Sequence, residues 1–194
     1  MNLPDWNERY RLHPSSEEAT ALVVEWAAGL NAGKALDLAC GAGRNAGYLA
    51  VRGWEVTAVD GASVGIDLLR SRHPLVRARV ADLEAGDFAI EADRWDLILS
   101  CYYLQRDLFP AMKAGVRPGG YILAIAHIPG PEEEANFKRG APGELRGFFA
   151  DWEIQHDYEG PSRDPAHRRP VAEIVARKPS RSAGGLAAGL LAIR

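Results

Sequence analysis

An apolar run, a glycine turn and a helix pattern follow one another between residues 35 and 50, and they constrain the fold more than any other stretch. The run at 35–39 predicts a buried strand, and Gly41 and Gly43 follow it directly. Because glycine lacks a Cβ, the backbone can turn tightly there and a ligand can approach its N–H groups. The helix that begins after the turn directs its positive end toward the space above the strand. The pattern therefore predicts a nucleotide-like cofactor at the carboxyl end of a parallel sheet.

The spacing of the glycines separates two classes of nucleotide-like cofactor. A dinucleotide fingerprint reads G-x-G-x-x-G, whereas the third glycine here, Gly47, comes one place late. Asp37 also lies in the strand, four positions before Gly41, where a pyrophosphate binder has no use for a negative charge. A cofactor with a cationic end would tolerate that carboxylate. A nicotinamide-dependent oxidoreductase is therefore the less favoured interpretation.

Strand and helix patterns alternate through the first two thirds of the chain. Helix patterns with one apolar face cover residues 15–30, 46–50, 63–72 and 107–115. Strand patterns cover 54–59, 75–81, 95–100 and, after a predicted turn at 117–120, 121–126. Such alternation predicts right-handed βαβ units and a parallel sheet. No helix or strand is predicted for the polar and aromatic segment 5–13.

The alternation stops after residue 127. A short helix pattern at 144–150 precedes strand-like runs at 152–158 and 171–177, which a turn-rich segment joins. Successive strands without a crossover helix predict an antiparallel hairpin at one edge of the sheet.

Composition bounds the class of protein. A chain of 194 residues is expected to form one domain with a substantial core, and its net charge of −3 gives no basic field for nucleic acid. Cys40 and Cys101 have no CxxC or Cys/His metal spacing, so we expect reduced thiols, no metal and a cytoplasmic location. No signal-peptide pattern is present, and the apolar run at 186–193 is shorter than the roughly 20 residues of a membrane helix. No membrane association is expected.

Two aspartates end the second and third predicted strands. Asp60 lies 23 positions after Asp37, and its carboxylate can accept both hydroxyls of a ribose. The alternative is a turn aspartate before Gly61. Asp82 ends the third strand in the same way, and on its own it is an ordinary strand-end aspartate.

Several motifs resemble one known family. D-L-A-C-G-A-G at 37–43 resembles the first motif of class I S-adenosylmethionine-dependent methyltransferases. W-N-E-R-Y at 6–10, D-L-I-L-S at 96–100 and R-P-G-G-Y at 117–121 are similar to the small bacterial tellurite-resistance methyltransferases, and the likeness covers residues 5–178. It implies a Rossmann-like α/β fold: a seven-stranded, mostly parallel sheet with a C-terminal antiparallel hairpin and helices on both faces. Residues 1–178 would form a single domain whose first 33 residues cover the cofactor side, and 179–194 would be a tail without an assigned role.

The resemblance also implies a cofactor, S-adenosylmethionine, and its product S-adenosylhomocysteine. Asp37 would support the methionine end, Asp82 would approach the adenine amino group, and Leu83 would supply a backbone N–H and an apolar wall. Trp6 and Tyr10 either contact the cofactor or only pack the N-terminal segment onto the sheet. The full set of cofactor-binding candidates is Trp6, Tyr10, Arg11, Asp37, Ala39, Gly41, Gly43, Arg44, Asn45, Asp60, Gly61, Asp82, Leu83, Ser100, Cys101 and Tyr102.

The acceptor side is expected after the fourth strand. Neither the N/D-P-P-Y motif of amino-directed nucleic-acid methylases nor the Pro-Cys of cytosine-C5 enzymes occurs there, and Cys101 is expected to be a packed thiol. In tellurite-type members a His and an Arg between the last strands approach the substrate, which points to His167 and Arg168. A solvated basic loop is the alternative. His127, just past the fifth strand, is a rival catalytic candidate.

These observations predict methyl transfer to a small-molecule acceptor, such as a soft chalcogen or thiol nucleophile, by a monomer or homodimer. A soft anion needs no strong general base, whereas an oxygen nucleophile would need one, with His127 or His167 as the candidates. The alternatives are a non-catalytic S-adenosylmethionine-binding protein and, less favoured, the nicotinamide-dependent oxidoreductase.

Overall fold

The computed structural model describes residues 2–13, 15–130, 132–136 and 138–180, so residues 181–194 of the expected tail lie outside the described part. The helices are α1 (Leu3–Leu12), α2 (Ala21–Ala27), α3 (Arg44–Ala50), α4 (Ser63–Arg72), α5 (Leu108–Gly115) and α6 (Glu144–Gly147). The strands are β1 (Lys34–Leu38), β2 (Glu55–Asp60), β3 (Arg77–Val80), β4 (Trp95–Cys101), β5 (Val116–His127), β6 (Glu153–Gly160) and β7 (Val171–Arg177). None of the helices in the described ranges is long and apolar enough to cross a bilayer.

The strands of the described residues form one sheet in the order β3-β2-β1-β4-β5-β7-β6. Strands β1 to β5 pair in parallel, and β7 runs antiparallel to both β5 and β6. This confirms the predicted parallel sheet with a closing antiparallel hairpin. The chain runs outward from β1 to β3 and then returns to β4, so the strand order reverses between β1 and β4. In open α/β sheets, ligands bind outside the carboxyl ends of the strands at such a switch point.

The sheet separates two apolar layers. Successive strand residues point to opposite faces, so Leu97 and Leu99 pack with Leu22, Leu49 and Ile66 on one side. Ile98 packs on the other side, in the cluster that contains Phe109 and Phe149 of the α5–α6 region. Because both faces are covered, β4 reads in sequence as a continuous apolar run rather than an alternating one.

Three elements differ from the sequence prediction. Residues 5–12, for which no element was predicted, belong to α1, and Asn2 and Asp5 form a reciprocal capping box at the start of this helix. The helix predicted over 15–30 is confined to Ala21–Ala27, and residues 15–20 form neither helix nor strand. The turn predicted at 117–120 is part of β5, although Gly119 adopts φ +82 there.

Candidate functional site

The glycine turn lies at the carboxyl end of β1, beside the switch point. Ala39, Gly41 and Gly43 adopt φ values of +52, +57 and +83, so three residues within five positions are left-handed. This conformation costs little for glycine and of order 1–3 kcal/mol for a residue with a Cβ. A Cβ on Gly43 would collide with the side chain of Leu69 in α4. The turn is therefore strained at Ala39 and packed closely at Gly43.

Asp60 links this turn to the end of β2. Its carboxylate accepts the backbone N–H of Gly41 at 2.8 Å through Oδ2 and that of Ala62 at 2.7 Å through Oδ1. Burial raises the pKa of Asp60, and the same two N–H groups oppose that rise. Each carboxylate oxygen can accept a further hydrogen bond, so the group remains available to a diol.

Asp37 is a buried carboxylate with an unsatisfied oxygen. The residue is only 2% exposed, and its Oδ2 has no hydrogen-bond partner within the described residues. Burial, followed by the nearby charge of Asp60, raises the pKa of Asp37 to about 7, against the opposing N–H of Ala46. A desolvated carboxylate without a cationic neighbour in contact is costly. A ligand with a positive end would relieve that cost.

Helix α1 covers the turn. The hydroxyl of Tyr10 lies where a Cβ of Gly41 would be, and Leu3 lies against Gly61 in the same way. Asn7 Oδ1 accepts the backbone N–H of Val64 at 2.9 Å, at the start of α4. Burial, together with the charge of Asp60, raises the pKa of Tyr10 well above its usual value.

The other two N-terminal candidates are less enclosed. Trp6 stacks on Tyr10 with ring centroids 6.1 Å apart and remains 38% exposed. Arg11 lies on the exposed face of α1 and pairs with Glu8 at 3.2 Å. The structure therefore brings Tyr10 to the glycine turn and leaves Arg11 at the surface.

The candidates after β2 and β3 mostly stabilise local backbone. Asp82 Oδ1 accepts the N–H groups of Glu84 at 2.9 Å and Ala85 at 3.3 Å, which is the turn role that its position alone suggests. Leu83 is buried, and its carbonyl accepts a hydrogen bond from the Gln105 side chain at 3.1 Å. Asn45 is also buried, and its side-chain oxygen accepts the N–H of Thr20 at 2.9 Å, at the residue that precedes α2.

The loop after β4 forms the other side of the switch point. Ser100 donates to the carbonyl of Tyr103 at 3.1 Å, and burial raises the pKa of the Cys101 thiol well above its usual value. Cys101 is therefore a packed thiol, because the thiolate is the nucleophilic form. Tyr102 adopts φ +61, and its N–H donates to Ile125 at 2.7 Å. A left-handed aromatic residue is an outlier of the kind that clusters at functional sites.

Two histidines that the sequence treated as rivals meet beside Tyr102. The His167 ring stacks on the Tyr102 ring with centroids 3.5 Å apart and an interplanar angle of 2°. His167 Nδ1 lies 3.2 Å from His127 Nε2, at the end of β5. Burial lowers the pKa of both histidines, that of His167 to about 4. Both rings are therefore neutral at pH 7.

The loop that carries His167 is fixed by two groups that the sequence analysis did not single out. Asp164 pairs with Arg44 of α3 at 2.7 Å, and the Arg44 guanidinium lies 5.6 Å from the Tyr102 ring. Arg163 reaches Glu173 at 3.1 Å and Glu25 at 2.7 Å. Glu173 is 3% exposed, and its position inside the apolar pattern of β7 was the available signal. Arg168 is exposed and has no side-chain partner within the described ranges.

The strand order and a site at the carboxyl ends of β1, β2 and β4 are those of class I S-adenosylmethionine-dependent methyltransferases. The sequence model of the family "Tellurite resistance protein TehB" matches residues 5–162, and the chain belongs to this family. A solved structure of TehB from Haemophilus influenzae superposes with a TM-score of 0.69 at 27% identity, over 89% of this chain and 65% of that chain.

Two curated relatives are similar in sequence. "Hemagglutinin 1" of Eikenella corrodens is 30% identical over 136 residues, covering 62% of this chain and 44% of that protein. "Probable S-adenosyl-L-methionine-dependent methyltransferase TehB" of Haemophilus influenzae is 28% identical over 146 residues, covering 68% of this chain and 50% of that protein. The chain thus spans about half the length of the curated relatives it matches.

A more distant structure shows the same fold. It is a Burkholderia thailandensis 1,6-didemethyltoxoflavin-N1-methyltransferase with bound S-adenosylhomocysteine, with a TM-score of 0.68 at 20% identity. The match covers 92% of this chain and 87% of that chain.

Proposed function

We propose that this protein binds S-adenosylmethionine and transfers its methyl group to a small-molecule acceptor. The observation that carries the proposal is the buried Asp37 carboxylate in the strand that leads into the left-handed glycine turn, because its Oδ2 has no hydrogen-bond partner among the residues that the structure describes. The cofactor's cationic methionine end supplies the positive charge that this carboxylate lacks. A dinucleotide pyrophosphate would instead place negative charge beside it, which the desolvated Asp37 disfavours.

The remaining cofactor contacts follow from the positions of the candidates. Asp60 would accept the ribose hydroxyls with the lone pairs that its two backbone N–H partners leave. Asp82 and Leu83, after the neighbouring strand, would border the adenine. Tyr10, with Trp6 stacked on it, would close the site from above.

In the reaction, the bound cofactor supplies an activated methyl group on its sulfonium. The chain's own part is to align the acceptor with that methyl group and to exclude water. Tyr102 and His167 would form the wall against which the acceptor lies, because both rings stand at the carboxyl end of β4. His127, His167 and the exposed Arg168 are the residues we assign to the acceptor side.

The acceptor is proposed to be a soft chalcogen or thiol nucleophile. The name of the family points to chalcogen chemistry, and the net charge of −3 gives no support for a nucleic-acid substrate. The two unpaired cysteines fit a reducing, cytoplasmic location. We expect a monomer or a homodimer.

The proposal is tested by calorimetric titration of the purified protein with S-adenosylmethionine, S-adenosylhomocysteine and a nicotinamide dinucleotide. Micromolar binding of the first two and none of the third is expected. Absence of adenosyl binding in folded protein would contradict the proposal, and binding of the dinucleotide would favour an oxidoreductase. A panel of thiols, selenite, tellurite and small hydroxylated compounds then measures transfer, and adenosyl binding without turnover would indicate a non-catalytic binding protein.

A further inference from the structure

A hydrogen-bonded bridge joins the loop after β4 to the loop after β3. The Tyr103 hydroxyl lies 2.6 Å from Gln105 Oε1, and Gln105 Nε2 lies 3.1 Å from the carbonyl oxygen of Leu83. Strands β3 and β4 are not neighbours, because β2 and β1 lie between them in the sheet. At a strand spacing of about 4.8 Å, the two strands lie roughly 14 Å apart. Tyr103 and Leu83 both pack in the apolar cluster that contains Phe109, so the bridge borders the carboxyl ends of β1 and β2 from that face of the sheet.

The chemistry of the partners fixes the direction of both hydrogen bonds. The Leu83 carbonyl can only accept, so the Gln105 atom that faces it is the amide nitrogen. The amide oxygen therefore faces Tyr103, whose hydroxyl must donate. Burial, followed by the charges of nearby carboxylates with Glu84 first, raises the pKa of Tyr103 well above its usual value, so the hydroxyl keeps its proton. The Tyr103 backbone is held as well, because Ser100 donates to its carbonyl at 3.1 Å.

The bridge ends at a residue that offers a donor beside an acceptor. The Leu83 carbonyl accepts Gln105 and also the N–H of Gly86 at 3.2 Å. The Leu83 N–H, by contrast, has no acceptor within the part of the chain that the structure describes. Asp82 uses Oδ1 for two backbone N–H groups, and its Oδ2 has no partner among the same described residues. An N–H donor and a carboxylate acceptor on adjacent residues complement the N1 acceptor and the 6-amino donor of adenine.

We propose that Gln105 is a positioning residue: oriented by Tyr103, it fixes Leu83 so that the site discriminates the 6-aminopurine of the cofactor from a 6-oxopurine. This inference rests on the proposed function and specifies what selects the base. In a 6-oxopurine, N1 carries a proton and position 6 carries an oxygen. Such a base would place a donor against the Leu83 N–H and an acceptor against the Asp82 carboxylate. A site rejects this mismatch strongly only when its own polar groups are held in place.

The turn after Leu83 needs such a restraint because it is exposed. Residues 84–87 are all exposed, and their backbone hydrogen bonds return to Asp82 and Leu83. Exposed turns with few buried contacts open most readily. The Gln105 hydrogen bond ties this turn to the loop after β4, which lies beyond two intervening strands. Gln105 therefore acts on the base through Leu83 and does not need to touch it.

The first test needs no cofactor. Hydrogen exchange of the full-length protein, followed by mass spectrometry, reports on the backbone amides of residues 82–87. Gln105→Met keeps the length of the side chain and removes the amide, so these backbone amides should exchange at least about 3-fold faster than in wild type. Gln155→Met, at an exposed position of β6, is the matched control. Equal exchange in wild type and Gln105→Met would overturn the inference.

The second test measures discrimination by calorimetric titration with S-adenosylhomocysteine and S-inosylhomocysteine, which carry the 6-amino and the 6-oxo base. Wild type is expected to bind the adenosyl compound at least about 100-fold more tightly. Gln105→Met should lower this ratio about 10-fold, chiefly by weakening the adenosyl compound. Tyr103→Phe keeps the ring but releases the amide of Gln105, and it should lower the ratio about 3-fold. The double variant should match Gln105→Met within about 2-fold, because Tyr103 acts through Gln105.

The outcomes separate this inference from the proposed function. An unchanged ratio in folded Gln105→Met overturns the inference even if both compounds bind more weakly, because a merely structural role would weaken them equally. Fully additive losses in the double variant also overturn it, as does equal affinity of wild type for the two compounds. Failure of wild type to bind S-adenosylhomocysteine contradicts the proposed function and the inference with it. A lower ratio in Gln105→Met, with no further loss in the double variant, supports the inference.

Discussion

At the scale of single residues, the two carboxylates of the site, Asp37 and Asp60, differ in how their hydrogen bonds are satisfied. Asp60 accepts two backbone N–H groups and therefore contributes to the scaffold as well as to the proposed ribose contact. Asp37 has an oxygen without a partner in the described chain, and burying this carboxylate carries a desolvation cost that a cationic ligand would lower. The sequence predicted Asp37 within the first strand and Asp60 at the end of the second. Which of them is paired depends on the direction of neighbouring backbone groups, which the sequence does not reveal.

The variant Asp60→Ala is expected to raise the dissociation constant for S-adenosylmethionine at least about 10-fold, which corresponds to roughly 1.4 kcal/mol. It should also lower the free energy of unfolding by about 1–3 kcal/mol, because two N–H groups lose their acceptor. Calorimetry and urea denaturation measure the two effects. Asp67→Ala, at an exposed aspartate of α4, is the matched control. Unchanged affinity in folded Asp60→Ala would refute the ribose assignment.

At the scale of elements, α1 and the loop before β7 close the site from two sides, and they are held differently. Helix α1 has no buried residue and contacts the body through Leu3, Asn7 and Tyr10. The loop is anchored by ion pairs of Arg163 and Asp164 to other elements. Segments with few buried contacts open most readily, so α1 is the element expected to admit the cofactor.

Tyr10→Ala is expected to increase the dissociation rate of S-adenosylmethionine roughly 10-fold, because the aromatic side chain that covers Gly41 is lost. Tyr10→Phe keeps the ring and should remain close to wild type. Leu12→Ala, at a position 64% exposed on the same helix, serves as the control. Stopped-flow displacement of the cofactor gives the rates. Equal rates for Tyr10→Ala and wild type would mean that Tyr10 only packs α1 onto the sheet.

Arg163→Met is expected to lower the free energy of unfolding by about 1–2 kcal/mol, since the buried Glu173 carboxylate loses its arginine partner. The side chain of Arg163 is 40% exposed, which moderates the cost. Arg163→Lys should recover only part of the loss, because lysine lacks the fork that reaches both Glu25 and Glu173. Arg79→Met, at an exposed position of β3, is the control in the same urea titrations. A loss as large in the control would contradict the anchoring role.

At the scale of the whole molecule, the sheet brings groups with opposite pH dependence to one edge. Folding raises the pKa of Asp37 to about 7. Between its unfolded pKa of about 4 and pH 7, the folded chain therefore keeps the carboxyl proton that the unfolded chain has lost, and the free energy of unfolding falls as pH rises. Folding lowers the pKa of His167 to about 4, below its unfolded value of about 6.5, so stability falls as pH drops through this range. The two contributions oppose each other between pH 5 and 6.5.

Replacing either residue should remove its own contribution to the pH dependence of the free energy of unfolding. Asp37→Asn is expected to gain stability relative to wild type as pH rises from 5 to 7, at up to about 1.4 kcal/mol per pH unit. His167→Gln should gain relative to wild type as pH falls from 6.5 to 5, and by less because His167 is only half-buried. Urea denaturation at intervals of half a pH unit measures both slopes. A pH-independent difference between Asp37→Asn and wild type would contradict the raised pKa, and Asp67→Asn provides the baseline.

The sequence by itself determined the alternation of elements, the parallel sheet with its closing hairpin, and the glycine turn after β1, because each depends on local apolar periodicity and on residues without a Cβ. It did not reveal α1, whose capping box at Asn2 and Asp5 was overlooked, or the short extent of α2. The contact between His127 and His167, the position of Tyr10 over Gly41 and the pairing of Glu173 were decided only by the tertiary structure. These contacts join residues that lie 10 to 40 positions apart in the sequence, and their geometry depends on packing that no local pattern encodes.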